Sequence, residues 1–176
     1  TDHGNMYGAL EFYYAAKEKN LQPIIGFEAY VAAGLLSEKT LTRQGEYANH
    51  FTLLAMNNEG YRNLCKLASI AHLEGHYYRP RIDKDVLREH SDGLICLSGC
   101  VAGKIPAMLL ADNFNGAKGE AREMRELFGD RFYLEVQNHG LPKQNKANEG
   151  IQRISQVLDI PLVATNDAHY ISREDS

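Results

Sequence analysis

Five short apolar runs recur along the chain: "PIIGFEAYVA" (23–32), "HFTLLAM" (50–56), "GLICLS" (93–98), "RFYLEVQN" (131–138) and "PLVATN" (161–166). Between them, apolar residues fall three or four positions apart. Residues 5–19 carry Met6, Leu10, Tyr13, Tyr14 and Ala16, and residues 58–74 carry Tyr61, Leu64, Leu67, Ala68 and Ala71. Residues 144–158 carry Ile151, Ile154 and Leu158, and the spacing also predicts helices over 103–111 and 114–128. A short continuous apolar run suits a buried strand, and a period near 3.6 suits a helix with one buried face. "DKDVLREHSDG" reads as a short helix, with Asp83 as its cap and Gly93 near its exit. Strands alternating with helices predict an α/β fold on a mainly parallel sheet, open or closed into a barrel. The polar connection "AGLLSEKTLTRQGEYAN" (33–49) exceeds ordinary loop lengths and is expected as a surface flap.

The polar exceptions to this pattern gather at strand ends. In "VATNDAHY" a hydrophobic run gives way to Asp167 and His169, and extended residues two apart share a face. Cys100 follows "LICLSG", and His139 follows "YLEVQN". Asp2 and His3 stand where a strand before the first helix would end. Glu28 lies inside its strand, in phase with Ile24 and Gly26, and a buried carboxylate there needs a partner. His50 opens a strand, which leaves its placement relative to the others open. In parallel α/β folds the loops that follow the strands converge on one rim and build the active site.

Imidazole, carboxylate and thiolate are the groups that bind zinc, manganese or iron. Seven candidate ligands exceed the roughly four of a structural zinc site and suit two or more ions. Paired ions about 3.5–4 Å apart clamp a phosphate and activate water. Each residue also has a plainer reading. His50 could bond backbone at a strand edge, Cys100 could be a small core residue, Glu28 could pair with an arginine, and His139 could cap the turn "NHGLP". His72, His76 and His90 lie in or after helices and are left out of the set.

Composition narrows the class. At 176 residues and 44% hydrophobic content, residues 1–176 suffice for one domain with a sizeable core. No run approaches the roughly 18 apolar residues of a membrane span. The opening "TDHGNMYG" lacks the basic start and apolar middle of a signal peptide. Three cysteines, Cys65, Cys96 and Cys100, without a CxxC spacing fit a reducing, cytoplasmic compartment. A net charge of −4 without a basic block argues against strong nonspecific nucleic-acid binding by this segment alone.

Taken in order, "TDHGNMYGALEFYYAAKEKNLQPIIGFEAYVA", "HFTLLAMNNEGYRNLCKLASIAHLEGHYYRPRID", "GLICLSGCVAGKIP", "FYLEVQNHG" and "IPLVATNDAHY" resemble the polymerase-and-histidinol-phosphatase (PHP) domain. "GYRNLCKL", "YYRPRID" and "ATNDAHY" are specific to the branch carried by bacterial replicative C-family DNA polymerases. The resemblance implies a distorted (β/α)7 barrel whose strand ends hold two to three divalent ions, zinc or manganese and in some members iron. It implies ligand roles for His3, Glu28, His50, Cys100, His139, Asp167 and His169, with Asp167 and His169 also catalytic. Asp2 is expected to orient His3 from behind. Arg79 and Arg81 are candidate phosphate contacts, with aromatic packing and surface ion pairing as the competing reading. The family's opening His-x-His strand has no match in the sequence, so the expectation is a PHP fragment lacking its first βα unit and two ligands.

By the same resemblance, the activity is metal-dependent 3′-5′ exonuclease chemistry within a DNA-directed DNA polymerase. The partners are then the primer 3′ end and other replisome subunits, with no membrane. Two further readings stay open: a noncatalytic module that braces the polymerase or binds a partner, and a free-standing small-molecule phosphatase. The polymerase-type segments weigh against the latter.

Overall fold

Alternation along the strands divides the sheet into two unlike faces, and that division places the site. The computed structural model describes residues 1–39, 41, 47–170 and 172–175. Its strands are β1 (Asp2–His3), β2 (Gly26–Val31), β3 (Asn49–Ala55), β4 (Arg81–Ile82), β5 (Leu94–Leu97), β6 (Phe132–Val136) and β7 (Leu162–Ala164). The helices are α1 (Ala9–Glu18), α2 (Asn58–Leu73), α3 (Lys84–Glu89), α4 (Lys104–Leu110), α5 (Phe114–Phe128) and α6 (Pro142–Leu158). The sheet runs β1-β2-β3-β5-β6-β7, with β4 also paired to β2.

One face is apolar. Phe27, Ala29, Val31, Phe51, Leu53, Leu94, Cys96, Phe132 and Leu134 pack into a single core with α2, α4, α5 and α6, which contribute Leu64, Leu67, Ile105, Met124, Ile151 and Ile154. Burying each large side chain is worth roughly 1.5–3 kcal/mol, so this face holds the domain together. On the other face Glu28, Thr52, Leu54, Leu97, Glu135, Gln137 and Thr165 line a cavity of about 250 Å³.

Helix starts follow the expected chemistry. Asp83 caps α3 by accepting from the Val86 N–H (2.9 Å), and Asn57 caps α2 by accepting from the Gly60 N–H (2.9 Å). Proline at the start of α6 sets its first turn at Pro142, two residues earlier than the apolar spacing predicts.

The sheet is mixed where a mainly parallel one was expected. β1 and β4 run parallel to β2, and β5, β6 and β7 run parallel to each other. β3 is antiparallel to both its neighbours. Asp2 and His3 themselves form a strand, in register with Phe27 and Glu28, rather than merely following one. β1 and β7 stand at opposite ends of the strand path, and no strand pairing joins them among the described residues. Closure into a (β/α)7 barrel is therefore not seen. The segment after β7 nevertheless reaches back, bringing the His169 ring to 5.3 Å from that of His3.

Two expectations meet a different surface. The stripe of α1 was expected to face the core, yet Leu10, Tyr13 and Tyr14 are exposed and Ala16 alone of the helix is buried. Of the flap at 33–49, residues 40 and 42–46 lie outside the described residues. Among the described residues no helix is long and apolar enough to cross a membrane.

Candidate metal centre

The direction of β3 explains how His50 joins the site. Because β3 runs against β2, its first residues lie beside the end of β2, and His50 pairs with Tyr30. On the opposite side of β2, parallel pairing sets His3 beside Glu28. The Glu28 carboxylate thus sits between two imidazoles. Its Oε2 lies 2.8 Å from His3 Nδ1, and its Oε1 hydrogen-bonds His50 Nδ1. The ligand atoms of His3, Glu28 and His50 all fall within 4.8 Å of one another.

Burial pushes the Glu28 carboxyl up. The His50 hydrogen bond and the charges of His50, His3 and His169 outweigh that effect and hold it below the usual range. Glu28 is therefore an ionised donor. Two nitrogens and one carboxylate oxygen are the donor set of an open, catalytic-type zinc site, so these residues fit a divalent ion.

Across the cavity stand Cys100, Asp167 and His169. Gly99 takes a left-handed φ of +81°, where an added Cβ would lie 2.6 Å from the His50 carbonyl oxygen. This close turn sets Cys100 beside the start of β3. Burial pushes the Cys100 thiol up to about 11; the Ala102 backbone opposes this, and the charges of Asp167, Glu28 and Glu135 reinforce it. A bound cation inverts that balance and favours thiolate.

Asp167 and His169 do share the cavity, though not as neighbours on an extended strand. β7 ends at Ala164, and Asp167 adopts a left-handed φ of 48°. His169 Nδ1 hydrogen-bonds the Asp167 carbonyl oxygen (2.8 Å) and lies 3.9 Å from Asp167 Oδ1.

Glu135 is a cavity residue that the sequence reading passed over. It is 6% exposed, its Oε1 accepts from Thr165 Oγ1 and Gln137 Nε2, and its Oε2 has no hydrogen-bond partner among the described residues. Burial raises its carboxyl, with Asp167 adding to the effect against the Thr165 and Gln137 bonds. The signal was present: a carboxylate inside the apolar run "RFYLEVQN", as with Glu28 in "PIIGFEAYVA".

Three residues of the expected set are engaged elsewhere in the fold. His139 does not line the cavity. Its Nδ1 receives a bond from Gln144 Nε2 (2.7 Å), and its Nε2 donates to the Asn166 carbonyl (2.7 Å). Both nitrogens are occupied in steadying the segment that carries Asp167. Asp2 does not touch His3, because successive strand residues point to opposite faces. Its Oδ2 instead accepts from the Gly8 N–H (2.9 Å), at the entry to α1.

Arg81 is 1% exposed, so it cannot meet a phosphate. Its guanidinium donates to the carbonyls of Gly75 (3.2 Å), Glu38 (3.3 Å) and Leu36 (3.3 Å), and it packs over the Tyr77 ring. Arg79 is exposed, with its guanidinium 5.6 Å from the Tyr30 ring centre.

Known proteins carry similar sequences. The chain is 50% identical to the DNA polymerase III subunit alpha of Borreliella burgdorferi, over the whole of this chain and 15% of that protein. It is 48% identical to the DNA polymerase III subunit alpha of Thermus aquaticus, over the whole chain and 14% of that protein. For the subunit of the same name in Aquifex aeolicus the identity is 38%, over 99% of this chain and 16% of that protein. The chain thus spans only about one-seventh of the length of the curated relatives it matches. The PHP domain pattern matches residues 1–139. By that match, covering more than half of its length, the chain belongs to the PHP domain family.

Proposed function

We propose that this chain is the PHP domain of a replicative DNA polymerase III alpha subunit, and that its metal centre hydrolyses the terminal phosphodiester at a DNA 3′ end. The observation that carries the reading is the convergence of His3, Glu28, Cys100, Asp167 and His169 on one cavity, with His50 bonded to Glu28 beside it. Zinc, manganese or iron bound there would supply Lewis acidity toward a phosphoryl oxygen.

The chain's own residues divide the remaining work. Glu28, held ionised, offsets the charge of the ion and fixes the two imidazoles that flank it. His169 lines the cavity, and with Nδ1 engaged by the Asp167 carbonyl it has Nε2 to offer there. There it serves either to hold an ion or to accept a proton from the attacking water. The Asp167 carboxylate, partly exposed and lining the same cavity, meets the substrate side. The reading assigns the primer terminus and neighbouring replisome subunits as partners, in the cytoplasm.

A bracing role alongside catalysis is favoured by α1, whose exposed Leu10, Tyr13 and Tyr14 suit packing against further protein. A free-standing small-molecule phosphatase is disfavoured, since the relatives are polymerase subunits of which this chain is a small part.

The test is hydrolysis of 3′-labelled single-stranded DNA by the full-length subunit, set beside a phosphate monoester. Asp167→Ala and His169→Ala should each lower DNA hydrolysis by at least a hundredfold. Undiminished hydrolysis in both variants would end the assignment, and preference for the monoester would favour the phosphatase.

A further inference from the structure

Beside the metal centre lies a second, larger hollow of about 580 Å³, and His50 belongs to both. The two spaces differ in charge. The metal cavity is lined by Glu28, Glu135 and Asp167, whereas among the described residues no carboxylate lines the hollow. Its charged residues are Arg79 and Lys143, both exposed and neither in an ion pair among the described residues.

Tyr30 and Tyr47 make its walls aromatic, and Tyr78 backs Tyr47 from outside the lining. Tyr47 stacks on Tyr78, with centroids 4.3 Å apart and planes 20° from parallel. Tyr30 stands edge-on to His50 at 4.8 Å and lies beneath Arg79. The volume falls within the roughly 300–1,000 Å³ of clefts that hold small ligands.

We propose that this hollow binds the terminal nucleotides of a single-stranded nucleic acid, on the path to the metal centre. The Tyr47–Tyr78 ledge takes a base, Arg79 and Lys143 hold phosphates, and the strand end passes His50 to the ions. The inference rests on the phosphodiesterase reading above and adds where the strand is held and by which residues. A phosphate monoester would need the cations but not the aromatic ledge. A flat ledge beside two cations is what single-strand sites combine, and stacking accepts any base. With only two phosphate contacts, binding should be modest and weakly salt-dependent, in keeping with the net charge of −4.

The test uses this chain and a short fluorescent oligothymidylate in EDTA, so that binding is read without hydrolysis. Wild type should show a log–log salt slope of about −1.4, from about 0.7 per single-strand phosphate contact. Lys143→Ala should weaken binding on the order of tenfold and flatten the slope to about −0.7, and Lys143→Arg should restore both. Tyr47→Ala should weaken binding similarly without changing the slope, and Tyr47→Phe should not.

Wild-type affinity and slope in both alanine variants would overturn the proposal, as would a failure of Lys143→Arg to rescue. The metal-centre reading is tested apart, by wild-type hydrolysis of bis(4-nitrophenyl) phosphate with Mn(II), a diester too small to need the groove. Failure there with oligothymidylate binding intact would fault the hydrolase reading and leave the groove standing.

Discussion

Glu28→Gln is the sharpest perturbation of the metal centre, because it keeps the shape of the side chain and removes its charge. In the folded protein Glu28 meets an imidazole at each oxygen. Hydrogen bonds to a charged group contribute about 1.5–3 kcal/mol each. The His3 side chain is 43% exposed, so its share is screened and counts for little. The metal-free variant should therefore lose about 2 kcal/mol, or roughly 4–8 °C in Tm for a domain of this size.

The larger effect is on metal binding. At a free concentration of 100 times Kd, a bound ion stabilises the wild type by about 2.7 kcal/mol, or roughly 5–11 °C. Removing a partner of a metal ligand already costs 10–100-fold in affinity, and Glu28 is itself a candidate ligand. After a hundredfold loss, the same metal concentration should stabilise the variant by only about 0.4 kcal/mol, or 1–2 °C. Differential scanning calorimetry of both proteins, with EDTA and with Mn(II) or Zn(II), reads both numbers. An equal metal-induced shift in wild type and variant would refute Glu28 as a ligand.

Other residues give separable outcomes. His139→Ala should free the Asn166 carbonyl and loosen the segment bearing Asp167, weakening metal binding by roughly tenfold in an isothermal titration rather than abolishing it. Arg81→Met leaves three carbonyls without their buried donor and should cost about 3 kcal/mol in urea unfolding, with metal affinity unchanged. The Glu135 carboxyl is raised above its ordinary 4.5, so the folded state holds that proton more tightly than the unfolded chain. Its contribution is complete below the unfolded value and is lost as pH rises through the folded one. Metal-free Glu135→Gln should therefore gain on wild type as pH rises from 4 to 7.5 in urea titrations, and a gain in the opposite direction would falsify the raised value.

The strand–helix alternation was legible because burial leaves its period in the chain. The centres of β2, β3, β5 and β6 and of α2, α5 and α6 fall where the apolar spacing puts them. Strand direction leaves no such mark, since an antiparallel β3 and a parallel one bury the same residues. That is why the place of His50 was open in the sequence and is settled only by its pairing with Tyr30.

Glu28 was legible as a carboxylate stranded in an apolar run, and Glu135 carried the same mark unread. His139 follows a strand as its position in the sequence indicates, but that position does not show that its ring bonds Gln144 and Asn166. Arg81 misled because β4 is only two residues long, too short for a period to reveal that it is buried. The inward placing of α1 failed for another reason: periodicity shows that a face is apolar, not what covers it.

The most direct measurement is anomalous diffraction at the manganese or zinc edge from crystals grown with that metal. The account predicts a peak between His3, Glu28 and His50, at about 2.0–2.2 Å from their ligand atoms, and a second near Cys100, Asp167 and His169. Saturating metal with no peak in the cavity, or peaks only at surface sites away from Glu28, would contradict it.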